Sequence, residues 1–331
     1  GIEVRIGRVE ASGLAWPLSE LLRGRFPLTG LRWGDPLTVS RLEIEKLKLA
    51  SHSNELHMDV DRIALDEVAV ARHEPATGPQ AMAVNRVARA LLATTVARAT
   101  VDGVRADVPL SGGRAGSMAG ATVEGYDRGV ARSVKLVGLA GIGFDREPPP
   151  VTVAEVTVRQ LSAKSLLKAF SSETVLFGLP GGRLSADSLR ATGLGGELMR
   201  RYGLSTSGLG FETTHDGPGR NRVRFAVDDV VLAPPLAGLQ GLALRMTLQA
   251  MGLSQVKGGF ACTASEDRAK GEVAIDDCAL QVPGLATLRF AARIVDGDEA
   301  LWQALDDGDL LALTESRAGL ASARLVAGDA G

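Results

Sequence analysis

Four histidines, two cysteines and a few paired carboxylates are the side chains of this sequence that chemistry could use. His52, His57, His73 and His215 stand alone, with no second His or Cys at zinc-ligand spacing, so surface placement is the plain reading. Gly112-Gly113-Arg114-Ala115-Gly116-Ser117 has the glycines of a phosphate loop but not its Gly-Lys-Ser/Thr ending. Gly193, Gly195 and Gly196 are spaced like dinucleotide-binding glycines, yet no βαβ pattern surrounds them. Gly203-Leu204-Ser205-Thr206-Ser207-Gly208 misses the Gly-x-Ser-x-Gly spacing of a serine nucleophile. Asp228-Asp229 and Asp276-Asp277 could form acid–base pairs, but each sits inside a repeat, where a solvated turn residue is the simpler role. The expectation is a non-enzyme with no catalytic residue, no metal site and no cofactor.

Cys262 and Cys278 flank Lys270-Gly271 almost symmetrically, inside text that reads as a hairpin from Phe260 to Glu266 and Glu272 to Leu280. Cross-strand neighbours can meet disulfide geometry, and a bond there would imply an oxidising compartment such as a periplasm. Two reduced, buried small hydrophobes are the alternative.

The elements that position these residues come from one repeated spelling. In Arg41-Leu42-Glu43-Ile44-Glu45-Lys46-Leu47-Lys48-Leu49, apolar residues fall at places two, four, seven and nine. Arg8, Arg62, Arg98, Arg183 and Arg224 open further copies, looser ones carry Val134 to Leu139 and Val156 to Ala163, and a last clear one holds Val273 to Leu280. Each half alternates like a strand with one buried face, but the halves are one residue out of phase. A bulge at the central dipeptide or a two-residue hairpin would keep both halves on one side. Only Asp102-Gly103 is a strong hairpin signal. Glu45-Lys46 and Asp66-Glu67 are poor choices for positive φ, so bulges or bends are expected in most copies.

The repeat therefore predicts an elongated, curved antiparallel sheet, mainly β with a few helices (α+β), whose apolar side forms a hydrophobic groove. Its floor would include Leu42, Ile44, Leu47, Leu49, Ile63, Leu65, Val68, Val70, Val156, Val158, Phe225, Val227, Val230 and Leu232. If the strands stack in register, Arg8, Arg41, Arg62, Arg98, Arg183 and Arg224 would line one rim able to hold anionic headgroups. The simpler role for them is to block edge-to-edge pairing.

Residues 1–147 read as an N-terminal β-repeat region with a helix at 80–97. Residues 151–331 read as a C-terminal one with a helix at 298–316, the two forming one continuous body. Pro148-Pro149-Pro150 is the stiff joint between them. Short helices are also expected at 163–170, at 197–202 and near Pro17 to Arg25, and a strand near Thr174 to Phe177. Ser111 to Gly120 reads as a Gly-rich mobile stretch. Leu242, Leu244, Met246 and Leu248 alternate strictly, which predicts a strand. The opening Gly1-Ile2-Glu3-Val4 already alternates, and the chain reads as a piece excised from a longer protein.

Formal charge is -2, which gives no reason to expect nucleic acid. Aromatic residues are only 4%, too few for base-stacking platforms. No run of about 18 apolar residues predicts a transmembrane helix. A Leu, Val, Ile and Ala floor suits flexible acyl chains, since each buried methylene contributes roughly 0.8 kcal/mol without precise polar contacts.

The motif, the repeated short strands and the Gly/Asp turns together resemble the AsmA-like family of bacterial envelope proteins. That resemblance implies repeating β-grooves that move phospholipid between the two membranes of a Gram-negative cell. It places the protein in the periplasm, with inner- or outer-membrane proteins as partners. A tubular lipid-binding (TULIP-like) fold, a long helix wrapped by a sheet, is the rival resemblance. A structural β-repeat protein whose core is filled by its own helices is the alternative function.

Overall fold

In the computed structural model the described residues are 2–15, 34–51, 56–74, 83–108, 114–142, 151–171, 184–215, 217, 219–233, 239–307 and 316–328. The chain divides into two compact units, Gly1–Asp187 and Ser188–Gly331. The structure is mostly β, and in each unit the strands lie in chain order in an open antiparallel sheet.

The first unit holds β1 (Ile2–Arg5), β2 (Arg8–Ser12), β3 (Leu37–Ser51), β4 (Leu56–Val70), α1 (Ala83–Leu92), β5 (Thr94–Val108), β6 (Arg114–Asp127), β7 (Val130–Ile142), β8 (Val151–Ser162) and α2 (Lys164–Ser171). One register rule governs β2 to β8. Counting the repeat's arginine as place one, place n of each strand faces place six minus n of the next. Thus Leu42 faces Leu65 and Glu45 faces Arg62. The rule holds in all six pairings from β2–β3 to β7–β8, in the last as far as Ala140.

Place six carries the phase change. Gly13, Lys46, Glu67, Gly103, Gly125, Gly138 and Gln160 hold that place, and each has φ between 52° and 64°. No residue is inserted at these points, because the register is the same on both sides of Lys46 and Asp61. Each strand is instead creased by one left-handed residue facing an ordinary one next door. Asp102-Gly103 is such a crease inside β5, not a hairpin. Lys46 and Glu67 adopt the positive φ that their side chains disfavour, because pairing on both sides over-determines the backbone there.

The second unit holds β9 (Ser188–Gly196), α3 (Glu197–Arg201), β10 (Leu204–His215), β11 (Arg220–Leu232), α4 (Leu239–Ala250), β12 (Val256–Asp267), β13 (Glu272–Val282), β14 (Ala286–Val295), α5 (Glu299–Asp307) and β15 (Gly319–Gly328). Here true register shifts occur, at Val227/Val230, Thr263/Ala264, Ile275/Cys278 and Arg293/Ile294. The first unit has one such shift, at Ala140/Ile142 in β7–β8, beyond the crease at Gly138.

Several elements differ from the sequence expectation. The helix expected at 80–97 is only Ala83–Leu92. The Thr94 hydroxyl donates to the Ala90 carbonyl at 2.6 Å, and the β-branched run Thr94-Thr95-Val96 already belongs to β5. The helix expected at 298–316 is described over Glu299–Asp307, and 308–315 lie outside the described residues. Leu242 to Leu248 are helical rather than extended. That stretch has one β-branched residue, Thr247, among strong helix formers, so composition outweighs the alternation. Of its alternating positions, Leu248 is buried while Leu242 and Met246 are exposed. Arg114 to Gly120, within the stretch expected to be mobile, are strand. β8, beyond Pro148-Pro149-Pro150, belongs to the first unit. The expected helix near Pro17 to Arg25 and strand near Thr174 to Phe177 fall outside the described residues.

Asp298 starts α5 and ties it to the following segment. Its carboxylate accepts from the Leu301 N–H at 3.0 Å, the Ser316 hydroxyl at 2.6 Å and the Arg317 N–H at 2.9 Å. These donors, led by Arg317, hold its pKa down at about 2. Trp302 is buried one turn on, with the Arg268 guanidinium 5.3 Å above its ring.

Candidate functional site

The register rule sets apolar residues in rows across the strands of the first unit. Ala11, Leu42, Leu65, Ala99, Val123, Val134 and Val158 form one row through direct neighbours. Val9, Ile44, Ile63, Val101, Ala121, Leu136 and Val156 form the next. Beyond the creases, Leu47 faces Val60 and Leu49 faces Met58 on one side, and Val68 faces Val39 and Val70 faces Leu37 on the other. The strands' 2-residue period and the creases place all these side chains on one face. Val39, Val60, Val68, Val134, Val153 and Val158 are buried, while Leu42, Ile44, Ile63 and Leu65 are half-buried.

Helix α1 does not fill this face. Its neighbour is α2: Asn85, 1% exposed, donates from Nδ2 to the Phe170 carbonyl at 2.8 Å, and Arg89 Nε donates to Ser171 O at 3.1 Å. Val87 and Leu91 remain exposed. The helix closes the turn from β4 to β5 at the strand ends, where the Tyr126 hydroxyl donates to Leu91 O.

The second unit has its own row: Leu189, Phe211, Phe225, Cys262, Cys278, Phe290 and Leu325. Beside it run Leu209, Val227, Phe260, Leu280 and Leu288. Val230 and Leu232 continue β11 past the left-handed Asp229 and face Gly258 and Val256. Here the apolar face is open: Phe225, Leu280, Leu288 and Phe290 are 37–44% exposed, and Leu325 is 66% exposed. Exposed apolar neighbours on this scale mark an interaction surface. Phe225 and Phe260 meet with ring centroids 6.0 Å apart. Cys262 and Cys278 are direct cross-strand partners joined by a disulfide, so the expected bond is present and lies within the row.

The arginines do not line a rim. Antiparallel order puts place one beside place five, which is acidic in these copies except in β2, where it is Ser12. Arg8, Glu45, Arg62 and Asp102 form one line of alternating charge, and Arg41, Asp66, Arg98 and Glu124 form another. Both lines cross the polar face, one residue out of step with the apolar rows. Glu43 accepts from Arg62 Nε at 2.6 Å and Arg41 at 3.3 Å. The Arg62 bond holds the Glu43 carboxyl below the usual carboxylate range, partial burial opposes this, and Arg41 adds to it. Arg224 faces Glu212 across β10–β11, and Arg183 lies outside the described residues.

In the second unit, a hollow of about 680 Å³ is lined by Gly258, Gly259, Ala261 and Ala279 together with Val227 and Phe260 of the apolar rows. Arg190 and Asp228 pair across it at 3.5 Å, and the Ser207 hydroxyl donates to Asp229 at 2.8 Å. No histidine stands among the described residues that line it, and the carboxylate beside Ser207 is Asp229. Among the described residues no three His, Cys, Asp or Glu side chains gather to hold a metal ion. His57 and His215 are exposed, the latter bonded to Asn221 at 2.6 Å, and His73 contacts Ala71 O at 3.1 Å. His52 lies outside the described residues.

One copy of the repeat escaped the sequence reading, although strands are expected from Ala121 to Phe144. Gly120 to Gly125 occupy places one to six of β6, but Gly120, Ala121 and Gly125 carry too little side chain to show the pattern. The left-handed place six was its one available signal. No protein-family model, curated protein or solved structure matches the chain, so the register rule, not kinship, describes it.

Proposed function

We propose that the chain binds acyl lipid without catalysis, on its apolar faces, as a transfer element of a Gram-negative cell envelope. The observation that carries this reading is the open row of the second unit, where Phe225, Phe290 and Leu325 stand in register without cover. A row of aliphatic and aromatic side chains offers dispersion and burial along its length, which is what a methylene chain requires. The disulfide within the row is consistent with an oxidising compartment, for which the periplasm is our reading. Membrane proteins at either end of the path are the expected partners.

The scaffold alternative rests on the first unit, whose Val39, Val60, Val134 and Val158 are already buried. Mass spectrometry of organic extracts from purified protein separates the two. Bound phospholipid that is lost in Phe225→Glu/Phe290→Glu, with the far-ultraviolet spectrum unchanged, supports transfer. A clean extract from wild type supports the scaffold.

A further inference from the structure

Two helices close one end of the second unit's sheet. α3 joins β9 to β10 and α4 joins β11 to β12, and at that end Leu204, Leu232 and Val256 lie side by side. The Ala233 N–H donates to the Gly203 carbonyl at 2.7 Å, which ties the exit of β11 to the turn after α3.

α4 has no charged face. Arg245 is its one charged residue, and its exposed positions Leu242, Ala243, Met246, Thr247, Gln249 and Ala250 carry no charge. A helix that is apolar on most sides is ordinarily buried in protein or in lipid. Here Leu242 and Met246, one turn apart on the same side, are 41% and 61% exposed. Met251, just past the helix, is 49% exposed, and Tyr202 and Leu204, just past α3, are 58% and 40% exposed.

The charge at this end is almost all of one sign. Arg200, Arg201 and Lys257 are exposed, and Arg245 is half-buried. Glu197 is the only acid in the sequence of either helix, and it is paired with Arg200. From Val230 to Ser265 the sequence has no Asp or Glu at all. The opposite end of the same strands is different: Asp267, Glu272, Asp296, Asp298 and Glu299 stand there beside Arg268, Lys270 and Arg293. The basic character therefore belongs to the α3–α4 end and not to the unit as a whole.

We propose that the α3–α4 end docks on the surface of an anionic lipid bilayer, with Leu242, Met246 and Met251 at the acyl boundary and Arg200, Arg201 and Lys257 among the phosphates. Charge complementarity is the argument for this occupant. A protein partner must place its acids at matching points and shape a hollow for each Leu and Met. A bilayer offers anionic headgroups at any spacing and takes apolar side chains of any shape. Near such a surface each cation contributes about fivefold in affinity. Tyr202 has the amphipathic ring that sits at headgroup level. Docking does not rest on lipid being carried in the apolar row, since a chain with an empty row has the same helices.

The test uses the whole chain and vesicles of phosphatidylcholine, with or without phosphatidylglycerol. Wild type should float with the anionic vesicles, bind the neutral ones at least tenfold more weakly, and be released by high salt. Leu242→Glu/Met246→Glu should lose at least tenfold in binding, and Arg201→Gln/Lys257→Gln roughly tenfold or more, each with an unchanged far-ultraviolet spectrum. Val87→Glu/Leu91→Glu, exposed on α1 of the first unit, should bind as wild type does. An environment-sensitive dye on Met246→Cys, the native cysteines being already bonded, should shift to the blue with anionic vesicles, and the same dye on Glu299→Cys should not. Wild type that stays in the soluble fraction, equal binding to both vesicles, or a Leu242→Glu/Met246→Glu chain that floats undiminished overturns the inference. So does a wild-type dimer in solution that this double variant separates, since the occupant would then be a second copy. Lipid in organic extracts is read separately, so docking and lipid carriage can each fail alone.

Discussion

Gly103 stands so close to Asp61 of the neighbouring strand that a Cβ on it would lie 1.9 Å from Asp61 Oδ2. Gly103 has φ 61°, so it is held both by the left-handed backbone and by the absence of room. Gly103→Ala is expected to destabilise by roughly 1–3 kcal/mol, the usual range for strain of this kind. The opposite change, Lys46→Gly, relieves a left-handed lysine with φ 55° and should stabilise by about 0.5–1 kcal/mol. Urea midpoints for the two variants, moving in opposite directions, check both.

Asp298 gives a pH signature. Its folded pKa lies at about 2, below the ordinary aspartate value of about 3.9. A lowered folded pKa means the stabilisation is present above the unfolded value and is lost as pH falls through the folded one. Wild type should therefore lose more stability than Asp298→Asn between pH 5 and 2, with the two curves parallel above pH 5. Thermal melts across that range are the measurement.

The disulfide closes a loop of sequence separation 16 between adjacent strands. Chain-entropy reasoning puts its contribution near 3 kcal/mol. Cys262→Ser/Cys278→Ser should lower stability by about that amount, and a thiol reductant should bring wild type down to the same midpoint.

Asn85 is the one polar side chain fully buried between α1 and α2 among the described residues. Asn85→Ala leaves the Phe170 carbonyl without its donor, which should cost about 1–3 kcal/mol. Amide exchange should quicken in α1 and α2 before it does in β3 to β5.

The apolar half of this architecture was legible in the residues. Leu42, Ile44, Leu47 and Leu49 announce a face, and the same spacing from Arg62 announces its neighbour. What decides the arrangement is less visible. Nothing in Lys46 or Glu67 as residue types says that they take a glycine-like φ; only pairing on both sides enforces it. The repeat in β6 was hidden because glycine and alanine carry little side-chain signal. The arginines were misplaced because place one was followed along the chain and not across it, where antiparallel order sets it beside an acid. In α4, strict alternation proved weaker evidence than the shortage of β-branched residues.

The complement-to-six register has a consequence for how such a chain can change in length. Every strand from β2 to β8 presents the same template to both sides, so the chain is tiled from interchangeable two-strand modules. Excising residues 114–142 would bring β5 beside β8 with its creases and apolar places still matched, whereas losing one strand alone would reverse direction and break both. Lengthening and shortening should therefore proceed in even steps.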